Sequence, residues 1–68
     1  MTQSEMILRY MHENGSITQW EAMREFGCMR IGARIWDLKR AGTHIITESQ
    51  TEKNRYGKPV TFARYRLG

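Results

Sequence analysis

The first part of the chain carries apolar residues at the three- and four-residue spacing of amphipathic helices. The segment SEMILRYMHENG shows this spacing, with Thr2 or Ser4 as a candidate N-cap and Gly15 after it as the stop. The segment therefore predicts a first helix. The apolar face of this helix consists of Met6, Ile7, Tyr10 and Met11.

A second helix is predicted by a capping signal that follows a short extended stretch. In SIT, Ile17 is expected to point inward, and Thr18 is followed three residues later by Glu21, the spacing of a capping box. The helix then runs to Phe26 and stops before Gly27, a residue suited to a left-handed helix terminus. Its expected buried side consists of Ala22, Met23 and Phe26.

A third helix is predicted almost at once, from about Met29 to Ala41, and ends at Gly42. Two helices joined by so short a turn cross at a steep angle, which is the geometry of a helix-turn-helix. At about 100° per residue, one stripe of this helix is apolar. The stripe consists of Ile31, Ile35 and Leu38.

After Gly42 the pattern changes to one typical of β-strands. The segments THIITESQ and VTFARYRL are rich in β-branched and aromatic residues, and TEKNRYGKP between them is polar. Pro59 stands at the start of the returning strand, where a missing N–H does least harm. The chain therefore predicts an α+β fold of three helices followed by a β-hairpin with a long basic tip.

The side of the third helix opposite the apolar stripe is the side that a partner would meet. Arg34 lies closer to the core edge, where it either reaches a partner or pairs with Asp37. Small Ala33 is consistent with a partner that approaches closely, and equally with a simple preference for a good helix former. The outward face consists of Met29, Ala33, Trp36 and Arg40, flanked by Arg30 and Asp37.

The two tryptophans differ in what the sequence expects of them. Trp36 is a large aromatic on the outward face, so it packs against Phe62 or Tyr65, contacts a ligand, or faces a second copy of the chain. Packing against the hairpin is the simplest of these alternatives. Trp20, beside the capping Thr18, is expected to pack as part of the second helix.

Composition restricts the function to the surface of one small domain. A chain of 68 residues allows a single domain, residues 1–68, and a deep substrate pocket would compete with its core for apolar side chains. The net charge of +4 and the pI near 9.7 favour a polyanionic partner. Much of this charge lies in the last third of the chain, at Arg55, Lys58, Arg64 and Arg66.

The sequence offers little for catalysis or for a cofactor. The single cysteine, Cys28, excludes an internal disulfide and is expected to be a buried residue at a helix end, not a nucleophile. His12 and His44 lie on different elements, and Asp37 is the one Asp, so neither a metal site nor a metal-dependent nuclease is predicted. We expect a cytoplasmic, non-enzymatic protein without cofactor, metal or membrane segment.

Taken together, these segments resemble the small winged helix-turn-helix domains of bacterial and phage proteins. The runs GSITQWEAMREFGCMRIGARIWDLKRAGTHIITE and NRYGKPVTFARYRL carry the resemblance over nearly the whole chain. Such domains usually bind duplex DNA, with the second helix of the motif in the major groove and the hairpin wing on the backbone or minor groove. The repressor-type motif usually has Val or Ile where this chain has Ala33, which indicates a turn of the winged-helix kind.

The resemblance implies sequence-specific binding of double-stranded DNA by a phage or bacterial transcription regulator, or by an accessory factor of excision and recombination. Arg30 is the candidate base reader, as a fork for guanine, or else a phosphate contact. The start of the second helix and the wing tip are expected on phosphates, and Arg55 also suits a minor groove. The predicted DNA-binding set is Thr18, Gln19, Met29, Arg30, Ala33, Arg34, Asp37, Arg40, Lys53, Arg55 and Lys58.

The main alternative is a protein-binding adaptor, or an inhibitor of a host enzyme, built on the same fold. The five methionines and an exposed Trp36 would suit such a surface, whereas the four basic residues of the last third favour DNA. RNA is a weaker alternative because the third helix suits a B-form major groove. A homodimer or a cooperative multimer on DNA is expected, with Trp36, Met11 and the hairpin edge as candidate contacts.

Overall fold

The computed structural model describes all residues, 1–68, as three helices and a three-stranded antiparallel sheet. The strand order is β1-β3-β2, so the C-terminal strand lies in the centre. This architecture confirms the predicted α+β fold with a helix-turn-helix and a hairpin wing. The elements are α1 (Gln3–Asn14), β1 (Ser16–Thr18), α2 (Gln19–Phe26), α3 (Ile31–Arg40), β2 (Ile45–Lys53) and β3 (Pro59–Leu67).

The first two helices begin with the capping boxes that their sequences favour. Thr2, not Ser4, caps α1, and its hydroxyl accepts the backbone N–H of Glu5 while the Glu5 carboxylate accepts the N–H of Thr2. These hydrogen bonds lower the pKa of Glu5. Thr18 and Glu21 repeat the arrangement at α2. Each box satisfies two N–H groups that a helix start otherwise leaves without partners.

The third helix begins later than predicted. Met29 and Arg30 belong to the turn, and α3 runs from Ile31 to Arg40 instead of from Met29 to Ala41. The reason is that its first N–H is satisfied from another helix: the Gln19 side-chain oxygen accepts the N–H of Ile31 at 3.0 Å. A cap that comes from twelve residues away leaves no local sequence signal.

The core lies between the helices and the inner half of the sheet. The predicted stripe of α3 is buried, and so is Cys28 in the turn before it. Met11 is 1% exposed, so its expected role as a contact between copies is wrong. Met23 and Phe26 are only half-buried, although Phe26 meets Tyr10 edge-on at 5.8 Å. The core consists of Ile7, Met11, Ile17, Ala22, Cys28, Ile31, Ile35, Leu38 and Ile45.

The hairpin has a shorter tip than its composition predicts. Strand pairing extends from Ile45 opposite Leu67 to Lys53 opposite Pro59, which leaves only residues 54–58 as the loop. Near the polar ends of the two strands, the hydroxyls of Thr51 and Thr61 also form a hydrogen bond across the ladder at 3.0 Å. The wing is therefore a long, two-stranded arm with a five-residue tip.

A carboxylate and a guanidinium connect the helices to the wing. Glu21 accepts a hydrogen bond from the Tyr10 hydroxyl at 3.2 Å and lies 3.7 Å from the guanidinium of Arg64 on β3. Arg64 also donates to Ser16 on β1 and to Gln50 on β2. Because these partners lie on α1, α2 and all three strands, the network fixes the wing relative to the helix-turn-helix.

The partial burial of Tyr10 and the negative charge of Glu21, together with their hydrogen bond, raise the pKa of Tyr10 above its usual value of 10.0. A raised pKa stabilises the folded chain fully below pH 10, and this contribution is lost as the pH rises through the folded-state pKa. We therefore expect a tyrosinate absorbance step above pH 10 that the Tyr10→Phe variant lacks. A step at or below pH 10 that disappears in Tyr10→Phe would contradict the network.

Candidate nucleic-acid interface

The basic residues divide into two groups according to their partners. Five of the eleven form ion pairs: four with carboxylates on the same helix or the paired strand, and Arg64 of β3 with Glu21 of α2. The other six form no ion pair, and all of them lie at the two ends of α3 or around the wing tip. We call these six residues the free cations: Arg30, Lys39, Arg40, Lys53, Arg55 and Lys58.

Two arginines of the last third do not belong to this surface. Arg64 pairs with Glu21, and the Arg66 guanidinium lies 2.6 Å from Glu48 across the ladder. Both guanidiniums thus have carboxylate partners within the fold, whereas Arg55 and Lys58 have none, which favours a structural role for Arg64 and Arg66. The positive surface is smaller than the sequence indicated, and it is concentrated at two places.

The turn before α3 presents Met29 and Arg30 to solvent. Met29 is 73% exposed, and Arg30 is exposed with no ion-pair partner. Ala33 follows on the first turn of α3 and is exposed as well. These three predicted residues therefore lie together around the N-terminal end of α3, beside a shallow groove of about 440 Å³ that Arg34 also lines.

Arg34 forms the ion pair with Asp37 that its structural interpretation predicts. Its guanidinium lies 3.6 Å from the carboxylate of Asp37, and both side chains are about two-fifths exposed. An exposed pair of this kind contributes on the order of 0–1 kcal/mol to stability. The contact supports the structural role of Arg34 and leaves both groups at the edge of the exposed face of α3.

The side chains of Thr18 and Gln19 are used by the fold. Thr18 is 3% exposed and caps α2. The Gln19 amide donates to the Cys28 carbonyl at 2.7 Å and accepts from Ile31. Any phosphate contact here would come from backbone N–H groups at the start of α2, and Gln19 acts by holding the turn that carries Arg30.

The wing tip is ordered by one asparagine. The Asn54 side-chain oxygen accepts the N–H groups of Tyr56 and Lys58 at 2.9 and 3.1 Å. Gly57 adopts φ +77, a left-handed conformation that side chains disfavour. The ring of exposed Tyr56 lies 5.7 Å from the guanidinium of Arg55. The predicted basic residues of the wing, Lys53, Arg55 and Lys58, are thus grouped on a preformed tip.

Both tryptophans are exposed, contrary to expectation. Trp36 is 57% exposed, so the simplest alternative, packing on Phe62 or Tyr65, is wrong. Its ring instead meets the guanidinium of Arg40 at 4.7 Å. Trp20 is 64% exposed and lines a groove of about 280 Å³ beside the wing. A helical projection would have indicated this, because Trp20 lies about 160° around α2 from the buried Ala22.

The remaining features concern metal binding, surface grooves and membrane-spanning helices. No group of three or more His, Cys, Asp or Glu side chains could hold a metal ion. The grooves are open and measure about 280 to 440 Å³. His12 lies in the last turn of α1. None of the helices combines the length and the apolarity needed to cross a bilayer.

Comparison with known proteins gives one match. A family model described as a winged helix-turn-helix domain matches residues 2–68, which is almost the whole chain. Searches of curated proteins and of solved structures found no match. The family match and the observed order of helices and strands agree on the same architecture.

We expect Gln19→Met to destabilise the fold by about 1–3 kcal/mol. Methionine has a similar length but satisfies neither the Cys28 carbonyl nor the Ile31 N–H, both of which lose their partner in the turn. Chemical denaturation with two-state analysis measures the change. Gln3→Met on half-buried Gln3 is the matched control and should stay within about 0.5 kcal/mol of the wild type; equal stabilities of the two variants would refute the role of Gln19.

Proposed function

Because the chain belongs to the winged helix-turn-helix domain family, we propose that it binds double-stranded DNA sequence-specifically, without catalysis, through α3 and the wing. The observation that carries this proposal is the distribution of the free cations. Every other basic residue is paired with a carboxylate, whereas the free cations are exposed at the two elements that such domains place on DNA.

The dimensions of the two elements suit a duplex. An α-helix with its side chains is roughly 10–12 Å wide, about the width of the B-form major groove. The two nine-residue strands make an arm of roughly 30 Å, long enough to place the tip on a neighbouring stretch of backbone. Arg30, Met29 and Ala33 would then meet base edges, and Lys53, Arg55 and Lys58 the phosphates or an adjacent minor groove.

The biological role that fits this surface is regulation of transcription, or assistance to excision and recombination, in a bacterium or phage. One such module buries little DNA surface, so tight binding favours a homodimer or a cooperative multimer on repeated half-sites. DNA as the partner would place its action in the cytoplasm. Arg34, Asp37 and Arg40 complete the proposed contact set, on the exposed face of α3 and its edge.

A second candidate function is supported by the groove beside Trp20. This ring, with Val60 and Phe62 of the wing, forms an exposed apolar surface that phosphate binding does not require. A host protein could be bound there, either in place of DNA or together with it. Retained partner binding by a chain that lacks the wing-tip charges would favour this function.

The test of the proposed function is fluorescence anisotropy with duplex DNA, duplex RNA and a DNA pool selected for binding, across a salt series. If all six free cations contacted phosphates, the logarithmic salt slope would reach about −5. We expect Lys58→Ala to weaken binding to every duplex and to reduce the slope by about one.

The matched control for this variant is Arg9→Ala, which removes an equal charge from α1, where Arg9 pairs with Glu13 at 2.8 Å. It should leave the slope nearly unchanged, because α1 lies outside the proposed surface. An unchanged slope for Lys58→Ala would remove the wing from the interface. Absence of duplex DNA binding at low salt would refute the function itself.

Arg30→Ala should act differently from Lys58→Ala. If Arg30 bonds a guanine, its removal costs roughly 1–3 kcal/mol on a selected site and relaxes the preference at one base pair. Competition between single-base variants of the selected site measures this preference. An equal loss on all sequences would assign Arg30 to a phosphate instead.

A further inference from the structure

The exposed face of α3 holds an aromatic ring between cations. Trp36 is 57% exposed, and the guanidinium of Arg40 lies over its ring at 4.7 Å. Arg40 has no carboxylate partner, so the ring is its observed contact. With Ala33, these side chains share a sector about 60° wide opposite the buried stripe. A large apolar surface is thus presented where the rest of the exposed helix is small or charged.

We propose that the Trp36 ring contacts the C5-methyl group of thymine in the major groove, with Arg40 held on the ring beside it. This inference rests on the proposed function and adds one specificity-determining residue to it. The thymine methyl is the apolar group that the major-groove edges of the base pairs present, so it is the natural partner of an apolar side chain on a groove-facing helix.

The residues around Trp36 favour close approach to a groove. Ala33 lies one turn earlier in the same sector and is exposed, so no bulky side chain separates that part of the helix from a base edge. Arg40 approaches the ring at cation–π distance, and this contact limits the positions of both side chains before DNA arrives. A ring that is already positioned loses less conformational freedom when it binds.

The charges argue against a second copy of the chain as the occupant. A two-fold interface centred on Trp36 would bring the same patch of both copies together. Lys39 and Arg40, both exposed and without ion pairs, would then face their own counterparts, and like charges across an interface oppose association. A polyanion meets the same surface without that penalty.

The test compares one selected duplex prepared with thymine and with uracil, which lacks the methyl group. The wild type should bind the thymine duplex tighter, by roughly fourfold for each methyl that the ring covers. Trp36→Ala should bind the thymine duplex more weakly and should no longer distinguish it from the uracil duplex. This pairing of variant and base cancels any effect of uracil on DNA shape.

Two control variants make the result specific. Trp36→Phe keeps an aromatic ring and should retain part of the thymine preference. Trp20→Ala removes the other exposed tryptophan, from α2, and should leave the ratio of the two affinities at the wild-type value. Chemical denaturation of each variant confirms folding, which an exposed position should permit.

The outcomes separate this inference from the function on which it rests. A wild type that binds no duplex overturns both. A wild type that binds DNA without a thymine preference, or a preference that persists in Trp36→Ala, overturns the methyl contact and leaves DNA binding in place. Self-association that sedimentation detects and Trp36→Ala abolishes, with no change in the thymine preference, would assign the ring to a second copy and also overturn the inference.

Discussion

The position of Glu21 is the constraint on which the rest of the structure depends. One carboxylate completes the capping box of α2, accepts the Tyr10 hydroxyl from α1 and lies beside Arg64 of the central strand. Arg64 in turn donates hydrogen bonds to Ser16 and Gln50 of the two outer strands. A chain of this length has a small core. The partly exposed network therefore sets the orientation of the wing, which apolar packing would set in a larger domain. The wing is therefore held at one angle to the helices.

This network and the other ion pairs determine which charges remain unpaired. Carboxylates of the helices and the sheet pair with Arg34, Arg64 and Arg66. The free cations lie at the two ends of α3 and around the wing tip, where none of them has a carboxylate partner. This division of the basic residues is informative because an exposed basic residue without an acidic neighbour contributes little to the stability of the folded chain. Their clustering at two separate elements points outward, to an anionic partner that spans both.

The sequence alone predicted those features of the fold that depend on interactions between residues close together in the chain. The box at Thr18 and the buried stripe of α3 follow from residues spaced three or four positions apart, and the same local signals limited the cap of α1 to Thr2 or Ser4. The features that the sequence did not reveal depend on partners far apart in the chain. Gln19 accepts the first N–H of α3 across the turn. Ser16 pairs with Arg66, fifty residues away, which adds a third strand to the sheet. For the site, the sequence pattern predicted five of the six free cations and missed Lys39. The ion pairs of Arg64 and Arg66 could not be predicted because they depend on the packing of β3 against α2 and on the register of the sheet.

The connection of the wing to α2 through Glu21 and Arg64, and of α2 to α3 through Gln19, has a thermodynamic consequence for recognition. Each element alone presents only three free cations, and each would bind a phosphate backbone weakly. When one element is seated, a wing fixed by Arg64 and Glu21 already lies at a set distance from the duplex, so the second contact forms without a new search. If the wing were flexible, its loss of conformational freedom on binding would offset part of this gain in affinity. The ion pair between Arg64 of β3 and Glu21 of α2 would therefore raise the affinity for DNA without touching it, because two small surfaces would then bind as one.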